Sequence, residues 1–219
     1  MWTEISPTLN FELYPDLRQS GGLAAALQAA LQEFKTDLIV QLPCGSFASA
    51  RVRRGDRSSG LMLAAHQRAF NVDFWNQGVL YGAGWFNNLK DAARSIVVFN
   101  VQLASLEEMT KSFALFEARD NAYAHERGSE AFAAHAWRSI EHRLNIENEN
   151  GIRLAGELLP IVIEASHRPR LRQLFPFLSL YGLCFSRTTG YPYTRDCPVA
   201  HGTGSGHFRV EHGYRTYRW

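Results

Sequence analysis

Residues 70–86 read FNVDFWNQGVLYGAGWF, and this stretch decides the fold class. Phe70, Val72 and Phe74 alternate with Asn71, Asp73 and Trp75, a period of two that puts one set of side chains on each face of a strand. The Asn76-Gln77-Gly78 segment then supplies the residue types of a tight reversal, and Val79 onward resumes extended sequence. An antiparallel hairpin follows, with one packed face and one face at least partly in water.

The same pattern extends backward. Ala48, Ala50 and Val52 alternate with polar residues, and the turn-like RGDRSSG leads into LMLAA. Residues 46 to 86 are therefore expected to form an antiparallel meander of about four strands. Helical periodicity surrounds it. Leu23, Leu27, Leu31 and Phe34 share a face of an alanine-rich segment opened by Gly21 and Gly22. NLKDAARSIVVF is apolar at Leu89, Ala92, Ala93, Ile96 and Val97. Ser105 and Glu108 have capping-box spacing ahead of a helix expected to carry Met109, Phe113 and Phe116. Phe132, Ala136, Trp137, Ile140 and Leu144 form a stripe that the polar run NIENENG should end. Pro160 should kink or divide the next helix, and Pro169 and Pro176 should bracket a short one.

Strand-like alternation returns in SLYGLCFSR and GHFRVEH. The expected architecture is α+β: the meander packed by several helices, with a C-terminal strand pair joining or flanking the sheet. Residues 1–219, 46% hydrophobic, are read as one α+β domain whose only plausible boundary lies near 145–151.

A net charge of +2 gives no electrostatic case for a nucleic-acid partner. The charge is unevenly placed. Residues 165–219 hold eight arginines, no lysine and only Asp196 and Glu211 as acids. Cys44, Cys184 and Cys197 form no close pair, which favours a reducing compartment. The acidic N-terminal sequence lacks signal-peptide character, and no run approaches the roughly 20 apolar residues of a membrane span. A cytoplasmic location without membrane association is expected.

No cofactor or metal is expected. His201, His207 and His212 have neither helical nor strand-face ligand spacing. YGAGWFNN lacks the third glycine of a dinucleotide fingerprint, and HGTGSGHF lacks the lysine and hydroxyl of a phosphate loop. Cys44 is expected on a turn, without an assigned base. The helix near residue 135 presents His135, Arg138, Ser139 and His142, a polar face whose plainest reading is solvation.

The richest segment is Ser186 to Asp196, SRTTGYPYTRD. Arg187 offers a directional fork, Thr188 and Thr189 offer hydroxyls, Tyr191 and Tyr193 offer flat walls, and Arg195 adds a second cation. Together these suit an anionic group such as a carboxylate or phosphate. The structural alternative is an arginine that braces its own turn through backbone carbonyls.

Three stretches, RGDRSSGLMLAAHQRAFNVDFWNQGV, AHAWRS and PRLRQLFPFLSLYGLCFSRTTGYPYTRD, resemble a bacterial group, domain of unknown function 6193, whose members automated naming calls natural product biosynthesis proteins. The resemblance spans about Leu17 to Val210 and implies a bacterial, cytoplasmic, biosynthetic setting without implying a reaction. Three functional expectations follow. The first is an accessory or small-molecule-binding protein that holds the anionic group of a ligand or carrier-bound intermediate at Arg187 to Arg195. The second is a biosynthetic enzyme with His135 or Asp73 as proton-transfer group and an arginine clamp. The third is a protein-interaction module, immunity- or antitoxin-like, docking through its basic C-terminal quarter.

Overall fold

The computed structural model describes residues 10–42, 48–179 and 182–186. It divides into two compact units, Met1–Glu126 and Arg127–Trp219.

The first unit is built on a six-stranded antiparallel sheet in simple sequence order. The strands are β1 (Val40–Gln41), β2 (Ser49–Arg54), β3 (Arg57–Leu63), β4 (Phe70–Asn76), β5 (Val79–Phe86) and β6 (Phe116–Ala118). Strands β2 to β5 are the meander expected from residues 46–86, and β1 and β6 extend it by one short strand at each edge. The two tight turns explain its register. Gly55 (φ 58°) lies in the two-residue connection between the paired Arg54 and Arg57. Gln77 (φ 50°) and Gly78 (φ 79°) form the connection between the paired Asn76 and Val79, the left-handed geometry that matches strand twist.

The inner face carries Ala50, Val52, Leu61, Phe70, Val72, Phe74 and Phe86, all buried. Helix α1 (Pro15–Gln19) leads into α2 (Leu23–Glu33), whose Leu23, Leu27 and Leu31 are buried as their spacing required. Helix α3 (Leu89–Asn100) is capped by Asn88, which accepts from the Asp91 amide at 2.8 Å. It contributes Ala92, Ala93, Ile96 and Phe99 to the core. Phe74 is the hub, edge-on to Phe99 at 5.2 Å and to Phe116 at 5.5 Å. Tyr14 staples the 64–69 loop: its hydroxyl lies 2.8 Å from the Ala64 carbonyl and 2.9 Å from that of Ala69.

The capping box forms as its spacing predicts, with Ser105 and Glu108 exchanging bonds at the start of α4 (Leu106–Ser112). The helix is shorter than expected. Phe113 leaves it in extended geometry (φ −134°, ψ 101°), and Phe116 enters β6 opposite Gly84. A phenylalanine at helical spacing is buried equally well by a strand edge, so periodicity did not separate the two. Helix α5 (Asp120–Glu126) ends the unit.

The second unit begins with α6 (Ser129–Glu149) and α7 (Arg153–His167), a helical hairpin. Trp137, Leu144, Ala155, Val162 and Ala165 form its buried core, with Ile140, Leu158, Leu159 and Leu171 packed against them. The helix α6 runs through most of the polar 145–151 segment and turns at Asn150 and Gly151 (φ 79°). Pro160 stays inside a single helix α7. Its missing amide would have reached the carbonyl of Gly156, where α7 passes close to Asn148. Pro169 opens the short α8 (Pro169–Arg172) as expected. Pro176 lies within β7 (Phe175–Ser179), which pairs with β8 (Gly182–Ser186) as a separate two-stranded sheet. The GHFRVEH segment lies outside the described residues.

Candidate functional site

The first unit has a core face and an open face. Strand register places three rows of side chains on the open one. The middle row runs Gln41, Arg51, Gly60, Asp73, Ala83 and Glu117 from β1 to β6. On one side of it lie Ser49, Met62, Asn71 and Trp85, and on the other Arg53, Ser58, Trp75 and Leu80. Met62 is 44% exposed and Trp85 46% exposed. Gly60 and Ala83 flank Asp73, so a carboxylate stands in a shallow trough with almost no side chain on either side. A Cβ added at Gly60 would meet nothing within 4 Å.

Asp73 is half-buried, and desolvation raises its pKa above the ordinary aspartate value; Arg119 and then Arg51 pull it back. No hydrogen bond among the described residues contributes to that balance. Arg51 and Arg119 are themselves exposed, one across Gly60 on β2 and the other just past β6. A proton-accepting group without a hydrogen-bond donor among the described residues, two flat indoles and two exposed cations that act on it therefore share one solvent-facing surface. The alternation in FNVDFWN made Asp73 visible from sequence; Gly60, Ala83, Trp85 and the arginines became neighbours only through register.

A second polar cluster lies on the inner side and carries no local signal. A β-bulge between Phe74 and Trp75 leaves Tyr81 as an extra residue on β5, aimed inward. Its ring is only 2% exposed. Asn76 Nδ2 donates to the Tyr81 hydroxyl at 3.0 Å, and that hydroxyl lies 2.7 Å from His125 Nδ1. The Tyr81 hydroxyl thus bridges Asn76 and the His125 imidazole, the tautomer of which sets who donates. Burial raises the Tyr81 pKa and lowers that of His125. Nearby, Arg57 Nη1 donates to the carbonyls of Phe99 (2.7 Å) and Ala104 (2.8 Å) and stacks over the Phe99 ring at 4.5 Å. Glu126 accepts from the Leu106 amide at 3.0 Å. These groups tie α3, α4 and α5 to the sheet, and the closed environment of Tyr81 suits a brace.

His135 lies on α6 in the second unit, partly exposed, 3.3 Å from the Ser139 hydroxyl one turn on. Arg138 and His142 are exposed on the same helix. Arg187, Thr188, Thr189, Tyr191, Tyr193 and Arg195 lie outside the described residues, as do Cys44, His201, His207 and His212. Among the described residues, no group of three or more His, Cys, Asp or Glu is placed to hold a metal ion, and no helix is long and apolar enough to cross a membrane.

No curated protein and no solved structure matches the chain. A family model described as a family of unknown function, DUF6193, matches residues 131–218, which include AHAWRS and the long stretch through SRTTGYPYTRD but not the six-stranded sheet. His135 and the Arg187 to Arg195 segment fall inside the match, and Asp73 falls before it. Over residues 131–218 the chain is thus similar to DUF6193, a family of unknown function.

Proposed function

We propose that this is a small-molecule-binding, accessory protein of bacterial specialised metabolism, acting in the cytoplasm, whose N-terminal unit takes its ligand on the open sheet face. The observation that carries the reading is Asp73, a half-buried carboxylate without a hydrogen bond among the described residues, standing between Gly60 and Ala83 beside two tryptophans. A fold does not desolvate a carboxylate, at a cost in stability, without some return. A ligand that donates to Asp73 supplies that return. The Arg187 to Arg195 segment is a second binding element of the proposal, resting on its arginines and hydroxyls, and would hold an anionic group.

The test is a panel of planar and anionic small molecules followed by ligand-observed NMR. Gly60→Leu fills the trough without entering the core, and it should abolish binding on the sheet face while leaving the thermal transition in place. Arg187→Ala should selectively weaken the anionic members. Binding of uncharged planar members that survives Gly60→Leu, or a panel without a single binder, refutes the reading.

A further inference from the structure

The chemistry around Asp73 narrows the ligand, on the reading that the open face is a binding site. Two carboxylate oxygens without donors among the described residues are best matched by two parallel N–H groups. A guanidinium ion has that fork, but it is a cation and would approach a surface where Arg51 and Arg119 already act on Asp73. A neutral donor pair avoids the repulsion, and an anionic substituent turns both arginines into partners. Aromatic faces are also provided. Trp75 is two residues from Asp73 on the same strand, and Trp85 is diagonal to it across β5, opposite Asn71. Such indoles present stacking surface to flat heterocycles. Arg51 lies two strand spacings from Asp73, about 10 Å, room for a sugar between a ring and its charged group.

We propose that the open sheet face binds a guanine mononucleotide, with Asp73 taking the N1–H and N2–H edge, Trp75 and Trp85 contacting the ring, and Arg51 or Arg119 holding the phosphate. Guanine alone among the common bases presents two adjacent donors on that edge. Adenine and cytosine set a donor beside an acceptor, and uracil has a single donor. The purine ring supplies the flat area and the phosphate the charge complementarity.

Titration calorimetry of the full chain with GMP, IMP, AMP and guanosine separates these terms. GMP should bind, and IMP, which lacks the N2 amine, should bind about tenfold or more weakly, as for one lost hydrogen bond to a charged group. Asp73→Asn should weaken GMP by a similar factor or more while preserving the fold. Guanosine should bind more weakly than GMP, with the difference shrinking as salt is raised. Equal affinity for GMP and IMP, or undiminished GMP binding by Asp73→Asn, overturns the assignment. A guanine-containing single-stranded RNA hexamer that binds far tighter than GMP overturns the choice of a mononucleotide. If GMP fails but other panel members bind and are lost in Gly60→Leu, the nucleotide assignment falls and the binding-face reading stands; if nothing binds, both fall.

Discussion

Two glycines of the same sheet, both free of left-handed geometry, should respond in opposite ways to a single added methyl group. At Gly82, on the inner face of β5, a Cβ would sit 2.5 Å from the Glu117 carbonyl oxygen and 2.6 Å from Cζ of Phe116. Neither obstacle yields easily. The carbonyl belongs to the β6 backbone, and the Phe116 ring is held edge-on against Phe74. Relief requires β6 to lift from β5, where only three residue pairs join them. Losing two or three ladder bonds at about 1 kcal/mol each, with partial unpacking of Phe116, gives a cost of about 2–4 kcal/mol, from which the reduced entropy of the unfolded chain subtracts about 0.5–1. At Gly60 the same methyl meets nothing within 4 Å. Gly60→Ala should therefore be neutral or stabilising by up to about 1 kcal/mol. Urea denaturation read by hydrogen exchange of the β4 and β5 amides measures the first unit alone. With a slope of about 2 kcal/mol per molar, Gly82→Ala should lower the midpoint by roughly 0.5–1.8 M and Gly60→Ala should not lower it. Equal destabilisation by both would refute the assignment of one closed and one open face.

Further consequences concern the two polar clusters. Tyr81→Phe strips the hydroxyl between Asn76 and His125. It should cost about 1–3 kcal/mol, measurable by denaturation, and should perturb the His125 imidazole signals in NMR; a neutral substitution would remove the bracing role. Asp73→Asn should act in the opposite direction on stability. The folded-state pKa of Asp73 is raised, so the stability associated with its protonated form is present below the unfolded value of about 3.9 and is lost as pH rises through the folded value. At neutral pH the ionised side chain burdens the fold, and asparagine should stabilise it by a fraction of a kcal/mol, since a half-exposed group is screened. Thermal unfolding at pH 7 and pH 3 should show that gain at the higher pH only. A loss of stability at pH 7 would mean that Arg51 and Arg119 outweigh desolvation.

The β4–β5 hairpin was legible because period-two alternation and Asn-Gln-Gly chemistry are both local. The capping box at Ser105 and the glycine-led start of α2 were legible for the same reason. Strand β6 was not, because Phe113 and Phe116 satisfy helical spacing from Met109 and only the neighbouring Gly84 and Gly82 leave room for a strand. Sequence offered Asp73 as a polar residue on an alternating strand. It offered no sign of Gly60, Trp85 or Arg119 beside it, since register joins residues up to 46 positions apart. Nor did any local pattern announce the Tyr81 to His125 contact, 44 residues apart, which depends on a bulge. The hydroxyl and arginine cluster from Arg187 to Arg195 remains a reading of residue types.

The central claim is that Asp73 is held half-desolvated on an open face for a donor that none of the described residues supplies. A carbon-detected NMR titration of the Asp73 carboxyl tests it directly. The free protein should show a pKa above that of an ordinary aspartate, falling when a bound ligand donates to the carboxylate. An ordinary or depressed value in the free protein would contradict the account, because it would mean that the carboxylate is already satisfied.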